Sequence, residues 1–303
     1  KGLEGLKQSG NNAQVQCVEH LVGPCQLTQL DSEPTIFTRT FTINGTRVFF
    51  IMLVWIDDKW AGFSRGGYEA ILVPFLKVYN RRFKSTNTMG DAKRFIGIDL
   101  IRDRNARKIS LSQEKYISTF VPKFVDDVKS KLMLKTHASP AVASRPDPYH
   151  NLYDLSLNKT EVDRVDEPYL AAVASAMYAA CMTRGDVAYH TAFLSQFSKL
   201  PFQEAWDALV RLLVCLYATR KHALTYGGKE IKIPDAPTCK PKLNPSTIEQ
   251  MYGLIIFSDA SWKLNCTYAG FFILFCNGAV DWGSNKLKVM LSSTEAEIAA
   301  GSN

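Results

Sequence analysis

No apolar run in this sequence exceeds the nine residues from Val48 to Ile56. A membrane-spanning helix needs about 20, so an integral membrane protein is not expected. No basic stretch leading into an apolar one stands near Lys1, so no secretory leader is read there. Cysteine is sparse and badly spaced for joint work. The seven, at positions 17, 25, 181, 215, 239, 266 and 276, form no Cys-x-x-Cys pair. A disulfide framework and a zinc knuckle are both disfavoured, and reducing surroundings fit best. The five histidines show no metal-ligand spacing. The chain also lacks an initiator methionine, and it reads as part of something longer. What is present is a globular composition: 46% hydrophobic and 11% aromatic over 303 residues. That length predicts one large domain or two to three modules.

The charge is concentrated. Residues 77–135 hold 15 Lys/Arg against 6 Asp/Glu, while the rest of the chain holds 21 against 23. One segment thus carries the whole net charge of +7. Such a segment suits contact with phosphates. It equally suits an ordinary solvated exterior, and its interleaved aromatics also fit a core.

The local patterns predict an α+β chain. A short helix is expected around Val15–Leu21. Ile36–Ile43 alternates, Asn44-Gly45 is a strong hairpin turn, and Arg47–Trp55 reads as a buried strand, with a return strand over Lys59–Phe63. Residues 68–83 carry a helical pattern that Pro74 should bend or start. A second hairpin is expected around 103–106 and a helix over Gln113–Phe124. Residues 136–168 read as a long loop, and Lys229–Pro245 as a linker. Between them three helices are expected, over Tyr169–Met182, Asp186–Phe197 and Gln203–Lys221. The last carries an apolar stripe of Trp206, Leu209, Val210, Leu213, Leu216 and Tyr217. Strands are then expected over Leu254–Phe257, Ala269–Cys276 and Ala279–Trp282. A final helix over Ser293–Ala300 would be capped by Thr294 with Glu297.

One pair of residues has chemistry of its own. Asp57-Asp58 lies between two strands. Adjacent carboxylates there suit a divalent cation, since Mg²⁺ takes oxygen ligands from one or two carboxylates plus phosphate. Two such ions can clamp an in-line phosphoryl displacement. Alone, an Asp-Asp turn is more often simply solvated.

The neighbours of that pair alter its reading. Trp55-Ile56-Asp57-Asp58 resembles the Tyr-x-Asp-Asp signature of reverse transcriptases. Leu3-Glu4-Gly5-Leu6-Lys7-Gln8-Ser9 resembles the Leu-Tyr-Gly-Leu-Lys-Gln-Ser segment that precedes it in copia-type retrotransposons. Asp31-Ser32-Glu33-Pro34-Thr35-Ile36-Phe37, Phe95-Ile96-Gly97-Ile98 and Leu111-Ser112-Gln113-Glu114-Lys115-Tyr116-Ile117 resemble further blocks of that family. Thr183-Arg184-Gly185-Asp186 is similar to its Thr-Arg-Pro-Asp. Phe257-Ser258-Asp259-Ala260-Ser261-Trp262 resembles its Tyr-Ser-Asp-Ala-Asp-Trp. Trp282-Gly283-Ser284-Asn285-Lys286 and Ser292-Ser293-Thr294-Glu295-Ala296-Glu297 resemble the Trp-x-Ser-Lys-Lys and Ser-Ser-Thr-Glu-Ala-Glu blocks. The order is colinear across nearly the whole chain.

The resemblance to a copia-type Pol polyprotein implies three parts. Residues 1–125 would be part of a polymerase palm with its catalytic hairpin. Residues 126–245 would be a mostly helical thumb and connection. Residues 246–303 would open a ribonuclease H-like α/β module. It implies Asp57 and Asp58 as polymerase carboxylates, Asp259 and Glu297 as ribonuclease H carboxylates, and all four as ligands of Mg²⁺ or Mn²⁺. Lys7 and Gln8 would touch template or nucleotide, and Arg81, Arg82, Lys84, Lys93 and Arg94 would follow the phosphate backbone. The implied partners are an RNA template, a DNA primer, an RNA–DNA hybrid, dNTPs and other parts of the Pol polyprotein, with no membrane. Cytoplasmic virus-like particles would be the setting. Both carboxylate sets are incomplete against the family pattern, so this chain by itself is expected to catalyse neither reaction. The alternative is a non-enzymatic nucleic-acid-binding remnant that uses segment 77–135. Trp55, Glu4, Gly185 and Ile298 depart from the pattern and read as drift.

Overall fold

The computed structural model describes residues 7–55, 58–64, 67–83, 91–126, 151–227, 254–261, 267–287 and 292–302. It is a mixed helix and sheet structure that divides into two compact units, Lys1–Gly97 and Ile98–Asn303.

The first unit is an antiparallel sheet under two helices. Its strands run in the order β1 (Thr28–Gln29), β2 (Ile36–Ile43), β3 (Thr46–Trp55) and β4 (Asp58–Phe63). Asn44 and Gly45 join β2 to β3 with φ of 49° and 75°. Two positive φ values make the tight turn whose twist matches the strands, and Asn-Gly tolerates them best. The turn sets the register: Ile43 faces Thr46, and Phe37 faces Met52. Alternation then sends Phe37, Val48, Phe50 and Met52 to one face, where all four are buried. There they meet Cys17 and Leu21 of helix α1 (Lys7–Val22) and Phe75 and Tyr79 of helix α2 (Val73–Tyr79). The Phe50, Phe75, Tyr79 and Phe83 rings stack in a row, with centroids 5.2–5.7 Å apart.

One expectation changes here. Helix α1 is longer than Val15–Leu21, because Gly10, Asn11 and Asn12 are weak helix formers and hid its first two turns. Pro74, expected to bend or start a helix, sits in the first turn of α2, as the second of those readings had it. A π-helical turn, Tyr68–Leu72, leads into it. The short strand β5 (Arg94–Phe95) ends the unit.

The second unit begins with strands β6 (Ile98–Asp103) and β7 (Lys108–Ser112), the second predicted hairpin. A strand not anticipated, β8 (Ala223–Gly227), pairs with β7 over five residues. The helices are α3 (Glu114–Phe120), α4 (Leu152–Ser156), α5 (Tyr169–Met182), α6 (Ala188–Ser195) and α7 (Gln203–Ala218). Helix α5 has the expected bounds. Helix α7 buries more than a stripe, since Leu212, Val214 and Cys215 are inside with Trp206, Leu209, Leu213 and Leu216. Part of the expected loop 136–168 is structured: α4 inserts Leu152 into the helical core, and a capped 3-10 turn, Glu161–Asp163, follows. The expected linker Lys229–Pro245 lies outside the described residues.

Strands β9 (Leu254–Ser261), β10 (Tyr268–Phe275) and β11 (Gly278–Lys286) form an antiparallel sheet with β10 at its centre. Helix α8 (Ser293–Ser302) packs on β9 and β10. Its cap is Ser292, whose Oγ accepts the Glu295 N–H at 3.1 Å. Thr294, expected to cap it, is inside the helix instead. The sheet shares its core with the helices: Tyr268 packs against Tyr189 and Phe193. Among the described residues no helix is long and apolar enough to cross a membrane.

Candidate functional site

In the first unit, β3 and β4 form a hairpin whose last pair is Trp55 and Asp58. Asp58 is exposed at the strand end; Asp57 lies outside the described residues. The sheet face away from the core carries Phe49, Ile51, Leu53 and Trp55, and Trp55 is 55% exposed. Trp60 lies flat across Gly62, where an added Cβ would come 2.9 Å from the indole. Strand β3 also pairs with β2 as far as Leu53, so the hairpin is the edge of the four-stranded sheet, with Asp58 at its end.

Arg81 and Arg82 are exposed just after α2, and the Arg82 guanidinium lies 5.9 Å over the Phe83 ring. Lys93 and Arg94 are exposed, with Arg94 Nη2 donating to the Gly97 carbonyl at 3.4 Å. Lys84 lies outside the described residues. Lys7 and Gln8 open α1, but their side chains lie outside them as well. Beneath the sheet, burial pushes the Cys25 thiol up to about 11, with Cys17 adding to it. Burial also raises Cys17, against the pull of Lys59.

In the second unit, Asp259 sits exposed near the end of β9, opposite Gly270 of β10. Gly270 in turn faces Ser284 of β11. Since Gly270 has no side chain, space remains open beside the carboxylate. Asp259, Phe257, Phe272, Trp282 and Tyr189 line a groove of about 450 Å³ there. Glu297 is on α8, the helix that packs against β9; its side chain lies outside the described residues. Ala296 and Ala300, one turn apart, are buried and let that helix approach closely. Among the described residues no group of three or more His, Cys, Asp or Glu side chains gathers to hold a metal ion. The described carboxylates therefore do not by themselves make a two-metal centre.

Sequence reasoning missed the device that fixes this groove. Arg184 is 1% exposed. Its Nε and Nη2 donate to the two oxygens of Asp186 at 2.9 and 2.7 Å, and Nη1 and Nη2 donate to the Thr219 carbonyl and Oγ1 at 3.2 and 2.6 Å. A planar fork that meets a carboxylate with two bonds is a strong, directional tie. It clamps the α5–α6 turn to the end of α7. Trp282 lies on that turn: its Nε1–H donates to the Ala180 carbonyl at 2.7 Å. A Cβ on Gly185 would come 2.9 Å from the indole. Gly185, read as drift, is therefore matched to this close approach. Spacing could have flagged Arg184, two residues from Asp186, but not its partner Thr219, 35 residues away.

Comparison with known proteins follows from these features. No family model matches the chain, and no solved structure matches it. The retrovirus-related Pol polyprotein of transposon TNT 1-94 from Nicotiana tabacum is 29% identical over 306 residues, 99% of this chain and 20% of that protein. The Pol polyprotein of transposon RE2 from Arabidopsis thaliana is 26% identical over 308 residues, 100% of this chain and 18% of that protein. A protein named secreted RxLR effector protein 161, from Plasmopara viticola, is 35% identical over 138 residues, 44% of this chain and 83% of that protein. Over those residues the two belong to one family. This chain spans about one fifth of the Pol polyproteins it matches. The end-to-end matches to two plant transposons give the chain a retroelement origin, in common with the Pol polyproteins of retrotransposons.

Proposed function

We propose that the chain belongs to the RNA-directed DNA polymerase and ribonuclease H part of a copia-type Pol polyprotein. The observation that carries this reading is the β3–β4 hairpin. It ends on Trp55 and Asp58 with Asp57 between them in the chain, within a sequence colinear with Pol proteins throughout. In this reading residues 1–125 serve as palm, 126–245 as thumb and connection, and 246–303 as the opening of the ribonuclease H module. Asp57 and Asp58 would hold Mg²⁺ or Mn²⁺ at the polymerase centre, and Asp259 and Glu297 at the nuclease centre. When bound, such ions neutralise the phosphate undergoing displacement. The chain's own contribution is to hold Asp58 at the end of the β3–β4 hairpin and Asp259 beside an open glycine. Lys7 and Gln8 would meet template or nucleotide. Arg81, Arg82, Lys84, Lys93 and Arg94 would meet phosphates of the RNA template, DNA primer and their hybrid. dNTPs are the polymerase substrates, and cytoplasmic virus-like particles are the setting.

A graft tests this. The matching segment of the tobacco transposon's Pol polyprotein is replaced by this chain, and primer extension on an RNA template is measured. The expected result is templated synthesis that Asp57→Asn reduces to background, with hybrid cleavage lost on Asp259→Asn. Synthesis and cleavage that survive both substitutions would overturn the reading. A second reading, nucleic-acid binding without catalysis, draws on the exposed Arg81, Arg82, Lys93 and Arg94. It expects a folded but inactive graft that still binds hybrid.

A further inference from the structure

Asparagine is followed by glycine twice in the chain, at Asn44-Gly45 and Asn277-Gly278, and both pairs stand at two-residue hairpin turns. The dipeptide carries latent chemistry. Glycine puts no side chain in the way when its backbone nitrogen swings onto the amide carbon of the residue before it. The two turns hold the dipeptide in different registers. In the β2–β3 turn Ile43 faces Thr46, so Asn44 and Gly45 are the central residues, with φ of 49° and 75°. In the β10–β11 turn Phe275 faces Gly278, so Cys276 and Asn277 are central, with φ of 50° and 65°. In a hydrogen-bonded turn the fourth residue gives its N–H to the carbonyl of the first. That residue is Thr46 in one turn and Gly278 in the other. The surroundings differ in the same direction. Asn44, Gly45, Thr46 and Arg47 are exposed, and nothing comes within 4 Å of where a Cβ on Gly45 would stand. Gly278 is buried, and a Cβ there would run into the Tyr226 ring. That ring is tied down in turn. The Tyr226 hydroxyl donates to the Ala279 carbonyl, and the Gly227 N–H donates to the Cys276 carbonyl at 2.7 Å.

We propose that Asn44 is a site of spontaneous deamidation, and that the fold protects Asn277 from the same reaction. The Gly45 nitrogen loses its proton to solvent base and bonds to Asn44 Cγ. The Cγ–Nδ2 bond breaks, and the amide nitrogen leaves as ammonia with a proton from solvent. Water then opens the cyclic imide at either carbonyl, which leaves aspartate or isoaspartate at position 44. Water is the only co-reactant. Isoaspartate adds a carbon to the main chain, so the turn no longer closes Ile43 on Thr46 with the twist that the strands need. That pair opens the register that sends Val48, Phe50 and Met52 to the buried face. The modified hairpin therefore holds the first unit's core less well. The inference takes nothing from the polymerase and nuclease reading.

The test holds the full chain in mildly alkaline buffer, with and without urea. Samples taken over days are digested at acidic pH, and the peptides around positions 44 and 277 are quantified by mass spectrometry. An isoaspartyl methyltransferase assay counts the isoaspartate. Without urea, Asn44 should convert at least about tenfold faster than Asn277, which corresponds to about 1.4 kcal/mol of opening at the second turn. In urea the gap should close. Asn44→Gln, whose longer side chain cyclises less readily, should stop conversion at that position and leave Asn277 unaffected. The converted fraction, separated by ion exchange, should melt below the unconverted chain. Equal rates without urea overturn the inference, as does an Asn44 that stays intact when folded and converts only in urea. A gap that persists in urea would come from local sequence and not from the fold, and overturns it too. A converted fraction that melts with the unconverted chain overturns the effect assigned to the hairpin.

Discussion

The Arg184 clamp should fail asymmetrically. Removing Asp186 as Asp186→Ala leaves the guanidinium, 1% exposed, with only Thr219 to bond. An uncompensated buried charge of this kind costs about 3–5 kcal/mol. Asp186 is itself 53% exposed, so water can enter on its side and the loss should be nearer 2–3 kcal/mol. Arg184→Met removes the charge instead and fills much of the same space. Asp186 then returns to water, and Thr219 Oγ1 keeps its bond to the Cys215 carbonyl at 2.7 Å. Only the hydrogen bond to the Thr219 carbonyl goes unreplaced, at about 1 kcal/mol. The double variant should match Arg184→Met within about 0.5 kcal/mol, because the hydrogen bonds that Asp186 accepts come from Arg184. Urea unfolding followed by far-UV circular dichroism reads the difference, provided the slope with denaturant stays constant. In thermal melts Asp186→Ala should shift the midpoint by about 5–10 °C for a unit of this size. If Arg184→Met is the more damaging change, packing and not charge compensation holds the turn, and the argument from the buried fork is wrong.

Three further outcomes follow from the same structure. Trp282→Phe keeps a ring over Gly185 but leaves the Ala180 carbonyl without its donor, and should cost about 1–2 kcal/mol in unfolding measurements. Cys25 and Cys215 are each pushed from 9.0 to about 11 by burial. Above pH 9 the unfolded chain has released these protons while the folded chain keeps them, so stability should decline as pH rises from 9 through 11. Mass-mapped alkylation at pH 8 should label the exposed Cys181 and Cys276 quickly, and Cys17, Cys25 and Cys215 only after denaturant is added.

What could be read in advance divides by the range of the interaction. The β2–β3 hairpin was legible because Asn44-Gly45 encodes the turn and the alternation on each side encodes the face. Helix α5 was legible because its alanine-rich stretch has a strong local preference. Strand β8 was not, because its partner β7 lies more than a hundred residues earlier, and its five residues fall between the expected helix Gln203–Lys221 and the expected linker. The loop read over 136–168 concealed α4 for a similar reason: Leu152 is ordered by the core it enters, not by its neighbours in sequence.

The candidate site shows the same division with more consequence. Asp58 and Asp259 were picked by local pattern; Asp58, expected in the turn, opens β4, and Asp259, expected at a strand end, stands within a longer β9, both of them exposed. Arg184 belongs to an equally local pattern, yet its role was invisible. A charged residue in a turn ordinarily faces water, and only Thr219 at the end of α7 turns it inward. Gly185 then follows from Arg184, because a turn pinned that tightly brings its backbone against Trp282 and leaves no room for a Cβ. Replacing Gly185 with proline, the residue in the pattern it resembles, would therefore test the clamp from the other side. Proline must push the indole away, and the Ala180 bond should weaken with it, so Gly185→Pro should approach the cost of Trp282→Phe. A neutral result would mean that the turn yields and that Arg184 does not hold it as tightly as its four hydrogen bonds imply.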